Sequence, residues 1–132
     1  MKSIKISIPS LIDNIKIIES FIDNAREKYA INEDIYGNIM ISVTECVTNA
    51  ILHGNNLDGN KKVDLELHLD DNLVKFIIKD EGEGFDYENL IDPTEPENLE
   101  KTGGRGIFIM KHLSDEVKFD DSGRKTTLTF YM

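Results

Sequence analysis

Val63, Leu65, Leu67 and Leu69 alternate with Asp64, Glu66 and His68, and the alternation resumes after Asp70-Asp71-Asn72 with Val74, Phe76 and Ile78. Successive side chains of a strand point to opposite faces, so each run has one apolar face and one polar face. Two such half-buried runs joined by a short polar turn predict an antiparallel hairpin. Its apolar face needs a covering layer, and the rest of the chain offers helices for that purpose.

Residues 2–8 also alternate, with isoleucines at 4, 6 and 8, and predict a strand that Pro9 ends. Ser10 is placed to cap a first helix, with Asp13 at its positive end. Ile15, Ile18, Phe21 or Ile22, Ala25 and Tyr29 continue that helix at three-to-four spacing. Asn32 caps a second helix expected to run to about Gly54. At 100° per residue, Tyr36, Ile39, Val43, Cys46, Val47, Ala50 and Ile51 share one broad arc, and Asn38, Ser42, Glu45, Asn49 and His53 lie opposite. Residues 55–60 read as a turn-rich loop.

Residues 80–102 are polar and without a persistent period, and a loop this long in a compact domain is often a lid, expected over 86–102. Ile107, Met110 and Leu113 restore helical spacing. Val117 and Phe119 open a final hairpin, turned at Asp120-Asp121-Ser122-Gly123, whose last strand is expected over 126–131. No internal repeat or linker is visible, so residues 1–132 read as one domain. The order β-α-α-β-β-lid-α-β-β predicts an α+β two-layer sandwich, its mainly antiparallel sheet covered on one face by helices.

The chain holds 15 Lys and Arg against 25 Asp and Glu, a formal net charge of -10. That argues against a direct nucleic-acid partner, which needs clustered cations. Cys46 is the only cysteine, so no internal disulfide can form and a reducing compartment is expected. The first residues lead into alternation rather than a long apolar run. No signal peptide, no membrane contact and a cytoplasmic location are therefore expected.

Glu45 and Asn49 are four residues apart and therefore neighbours on one helix surface. An amide oxygen suits Mg²⁺, which prefers hard oxygen donors, and a carboxylate one turn away can act as a general base. An ordinary solvated helix face could carry the same pair. Asp80 closes a strand, and Gly82 and Gly84 after it permit close backbone approach; a carboxylate there can accept from the exocyclic amine of adenine, or the segment is a plain glycine turn. Gly103-Gly104-Arg105-Gly106 opens the next helix, where free N–H groups favour phosphate, or it is a hinge. Thr126 shares a strand face with Leu128 and Phe130, which aims its hydroxyl inward, either at a ligand or as plain β structure. His53, His68 and His112 lie in separate elements without the spacing of a zinc site. Cys46, in the apolar arc, reads as a small hydrophobe.

Glu45-x-x-x-Asn49-Ala50-x-x-His53-Gly54, Asp80-x-Gly82-x-Gly84 and Gly104-x-Gly106 together resemble the N, G1 and G2 boxes of the GHKL ATPases, in the same order. The resemblance extends over nearly the whole chain and is nearest to the bacterial anti-sigma factor serine/threonine kinases, which Gly82-Glu83-Gly84-Phe85-Asp86 and Gly106-Ile107-Phe108-Ile109-Met110 also resemble. It implies a Bergerat-type fold that binds ATP and Mg²⁺. Asn49 would be the metal ligand, Glu45 the catalytic base, and Asp80 with Thr126 the adenine contacts. Gly82, Gly84, Gly104 and Gly106 would shape the pocket and contact phosphate, with Arg105 a further candidate for the γ-phosphate or a partner. Where the family has Gly directly before the strand threonine, this chain has Lys125, with Gly123 earlier. The implied partners are a sigma factor and an anti-anti-sigma antagonist, with a possible homodimer. The implied activity is phosphorylation of a Ser or Thr on the antagonist. The alternative is a non-catalytic, ATP-responsive module that sequesters a regulatory protein.

Overall fold

The computed structural model of the chain describes residues 2–84 and 104–132. Strand β1 (Lys2–Pro9) leads through a 3-10 turn at Ile12–Asn14 into α1 (Ile15–Tyr29). Helix α2 (Glu33–Asn49) continues as a π-helical turn over Ala50–Gly54, and β2 (Lys62–Leu69) and β3 (Leu73–Lys79) follow. Helix α3 (Gly104–Leu113) precedes β4 (Glu116–Asp120) and β5 (Lys125–Tyr131). The strands are ordered β1-β2-β3-β5-β4, and every neighbouring pair is antiparallel. This is the expected α+β sandwich.

Register follows from the alternation. Leu65 sits opposite Ile6 and Ile78, and Phe76 opposite Leu67 and Leu128, so every inward residue meets another. Leu65, Phe76 and Leu128 are fully buried, and Phe76 meets the Phe130 ring edge-on, with centroids 6.2 Å apart. A one-residue slip would turn all of them to the polar face, which makes this register the stable one. The helices supply the other half of the core through Ile18, Ile22 and Ala25 of α1 and Ile39, Val43, Cys46 and Val47 of α2. Each large apolar side chain so buried contributes roughly 1.5–3 kcal/mol.

Asn32 caps α2 as expected, its Oδ1 accepting from the Asp34 N–H at 2.8 Å. Ser10 does not cap α1. Its hydroxyl donates instead to the Lys61 carbonyl at 2.8 Å, and the side chain is buried under the start of β2. Glu33–Gly54 is long and apolar enough to cross a membrane by composition, with a mean hydropathy of 1.2 over its best window. Its apolar arc, however, lies against the sheet.

Candidate functional site

Asp80 follows β3 directly, and its backbone N–H donates to the Arg124 carbonyl at 2.9 Å, extending the β3–β5 pairing to the site. Asp80 Oδ1 accepts from the Gly82 N–H at 2.8 Å. The end of α2 presses on this turn. A Cβ on Gly54 would lie 2.6 Å from Asp80 Cγ, and a Cβ on Gly82 would collide with the Gly54 carbonyl oxygen. Only glycine permits that approach at both positions. Burial pushes the Asp80 carboxyl above its ordinary value, against the opposing pull of the Gly82 N–H.

Thr126 faces inward as expected and is buried opposite Ile78. The thiol of nearby Cys46 is pushed up to about 12, chiefly by burial; the Thr126 hydroxyl acts against the rise and the Asp80 charge adds to it. Asp80, Thr126 and Cys46 thus share one corner between β3, β5 and α2.

The other corner is built on Glu45 and Asn49. The ridge that carries them is not an open solvated face, because Ser42 on it is wholly buried and α3 packs along α2. A Cβ on the buried Gly106 would lie 2.6 Å from Asn49 Nδ2 and 3.1 Å from Glu45 Oε2. The first turn of α3 therefore rests on both side chains. Asn49 Nδ2 and Ser42 Oγ are buried without a hydrogen-bond partner among the described residues. An unpaired buried polar group costs about 1–3 kcal/mol, and such a group calls for a reason.

Gly84 has φ +85°, and a Cβ there would collide with the Ser122 carbonyl, so the glycine segment lies on the β4–β5 turn. Gly104 begins α3. The Arg105 side chain, Phe85, Asp86, Gly103 and the lid expected over 86–102 lie outside the described residues. Among the described residues no three His, Cys, Asp or Glu side chains converge as a metal cage. A Mg²⁺ ion does not need one, since it is commonly held by one or two protein oxygens with phosphate and water. The Asn49 side chain, whose Nδ2 has no partner among the described residues, fits that role, because turning the amide over offers its oxygen in the same place.

Three features escaped the sequence reading. The π-turn at Ala50–Gly54 carries no composition signal; it closes with Asn55 N–H donating to the Ala50 carbonyl at 2.8 Å. Asn55, read as part of a turn-rich loop, is buried. Arg124 donates to the carbonyls of Gly82 at 3.4 Å and Glu83 at 3.5 Å while pairing with Asp121 at 3.3 Å. The one hint of Arg124 was its place, with Lys125, directly after Asp120-Asp121-Ser122-Gly123. An open groove of about 660 Å³ lies at the far end of the sheet, lined in part by Lys2, Tyr29, Asp70 and Met132, and contains none of these residues.

Residues 8–132 match the family described as Histidine kinase-like ATPase domain. The chain is 26% identical to the serine-protein kinase RsbW of Staphylococcus aureus strain JH9, over 98% of this chain and 86% of that protein. The RsbW of strain Newman gives the same values. Among solved structures, the RsbU and RsbW domains of Rv1364c from Mycobacterium tuberculosis superpose with a TM-score of 0.65 at 16% identity. That match spans 99% of this chain and 32% of the larger one, and it shows a shared fold.

Proposed function

Because this chain belongs to the family of histidine kinase-like ATPase domains, we propose that it is an ATP-dependent anti-sigma factor. In this reading it sequesters a sigma factor or similar regulator and phosphorylates a Ser or Thr of an anti-anti-sigma antagonist. It works in the cytoplasm as a single domain of residues 1–132, with a homodimer as its expected assembly. The observation that carries the reading is the Asn49 Nδ2, buried and without a partner among the described residues, beside Glu45 under the first turn of α3. The relatives named as serine-protein kinases support the choice of hydroxyl over water as acceptor.

The roles follow from the chemistry of each group. Asp80, acceptor-only when ionised, takes the exocyclic amine of adenine, with the Thr126 hydroxyl beside it. Asn49 offers its amide oxygen to Mg²⁺. Gly106 keeps the start of α3 within reach of Asn49 and Glu45, and Gly82, Gly84 and Gly104 let the backbone approach the nucleotide. Bound Mg-ATP supplies the transferable phosphoryl group. Glu45 accepts the proton of the incoming antagonist hydroxyl, a secondary contribution in a reaction that depends mainly on positioning and charge neutralisation. Arg105, between the two glycines of α3, is a candidate for the γ-phosphate.

Incubation with radiolabelled ATP and the antagonist from the same host tests this reading. Label on the antagonist is expected. An antagonist that binds yet is never labelled would leave the sequestering module without catalysis as the better description.

A further inference from the structure

Asn55 joins three segments far apart in sequence. Its amide nitrogen donates to Ser10 Oγ at 2.7 Å, at the β1–α1 junction, and to the Lys62 carbonyl at 3.0 Å, at the start of β2. Its amide oxygen accepts from the Glu81 N–H at 2.7 Å. Ser10 passes its own proton to the Lys61 carbonyl, and the Glu81 carboxylate accepts from the Lys62 N–H. Both amide hydrogens and the oxygen are therefore engaged, and the side chain is fully buried. A buried network with every member satisfied is rigid, and losing one member leaves the others unpaired.

The Glu81 N–H lies one residue beyond Asp80. On the other side, the Asp80 N–H is held by the Arg124 carbonyl. The peptide segment that carries the Asp80 carboxylate is thus tied on both flanks, and Gly82 against Gly54 stops it from sinking toward α2. On its distinguishing edge adenine presents an amine donor, whereas guanine presents a carbonyl that a carboxylate repels. Discrimination between them depends on holding that carboxylate in one place.

We propose that Asn55 is a positioning residue that sets adenine-over-guanine selectivity by fixing Asp80. The inference rests on the nucleotide reading above. ATP and GTP carry the same triphosphate, so the ratio of their dissociation constants cancels phosphate contacts and any loss of folded protein. A merely structural residue would weaken both nucleotides by the same factor. Isothermal titration of wild type and Asn55→Ala with each nucleotide, at a temperature where circular dichroism shows both folded, gives the ratio. Of the three bonds that Asn55→Ala removes, loss of the one from the Glu81 N–H frees the Asp80 segment and predicts a fall of about tenfold in the GTP/ATP ratio, mostly through weaker ATP binding. If Asn55→Ala does not fold, Ser10→Ala unpins the amide while leaving it in place, and a fall of about twofold or more is expected. A wild type that prefers ATP, with an unchanged ratio in the folded variant, overturns this inference alone. A wild type that binds neither nucleotide at millimolar concentration overturns the nucleotide reading as well.

Discussion

The two corners of the site differ in how completely they are built. Around Asp80, the Arg124 carbonyl, the Gly82 and Glu81 N–H groups and the Asn55 amide all pair with one another or with the Asp80 segment. Around Glu45, the Asn49 Nδ2 and the neighbouring Ser42 hydroxyl are buried with no partner among the described residues. The first corner is finished by the chain itself, and the second holds polar capacity that a ligand can take up. Base recognition is therefore expected to be preformed and metal-independent, and phosphate recognition to depend on Mg²⁺.

The largest effect that would sharpen this contrast is on transfer. Glu45→Gln keeps size and hydrogen bonding but removes basicity, so transfer to the antagonist should fall by about 10²–10⁴-fold, while titration shows Mg-ATP binding nearly unchanged. Full transfer activity in the variant would dismiss Glu45 as the base. Asp80→Asn should weaken ATP by roughly 10–100-fold, with or without metal, because the amide meets the adenine amine with a donor as well as an acceptor. An equal loss of ATP and GTP affinity would break the assignment of this corner to the base.

Asp80 also links function to stability. Its carboxyl is raised by burial, so the folded chain holds a proton at pH values where the unfolded chain has released it. The contribution of Asp80 to stability is then fully present below the ordinary carboxylate pKa and is lost as pH rises through the raised value. Nucleotide affinity runs the other way and falls as acidification protonates Asp80. Asp80→Asn should remove the stability decline and melt at a higher temperature than wild type at neutral pH. A lower melting temperature would show that burial does not dominate at this carboxylate.

A smaller effect is expected at the open corner. Asn49→Ala should cost about tenfold in ATP affinity when Mg²⁺ is present and leave metal-free binding nearly unchanged. An equal loss in both conditions would mean that Asn49 touches the nucleotide without metal.

The elements were legible because their signals are local and repeat. Period-two runs at 63–69 and 74–78 gave the hairpin and its buried face, and the arc of Ile39, Val43 and Cys46 gave the buried side of α2. The inward aim of Thr126 followed from counting along β5. What periodicity could not carry was any role set by a distant partner. Ser10 reads as a helix cap because serine caps helices, yet its hydroxyl is claimed by Lys61, fifty-one residues away. Asn55 reads as turn because asparagine favours turns, yet its amide is taken by Ser10, Lys62 and Glu81. The ridge of Ser42 and Asn49 reads as solvated until α3 is laid along it. Family resemblance named Glu45, Asn49 and Asp80 together, and the close contacts of Gly106 and Gly54 show what holds them in place.

The central claim is that one nucleotide site joins a finished base corner to a metal-dependent phosphate corner. Isothermal titration of the wild-type chain with ATP, in the presence and absence of Mg²⁺, tests it most directly. The account predicts measurable binding without metal and tighter binding with it. No detectable heat with millimolar ATP under either condition would contradict it.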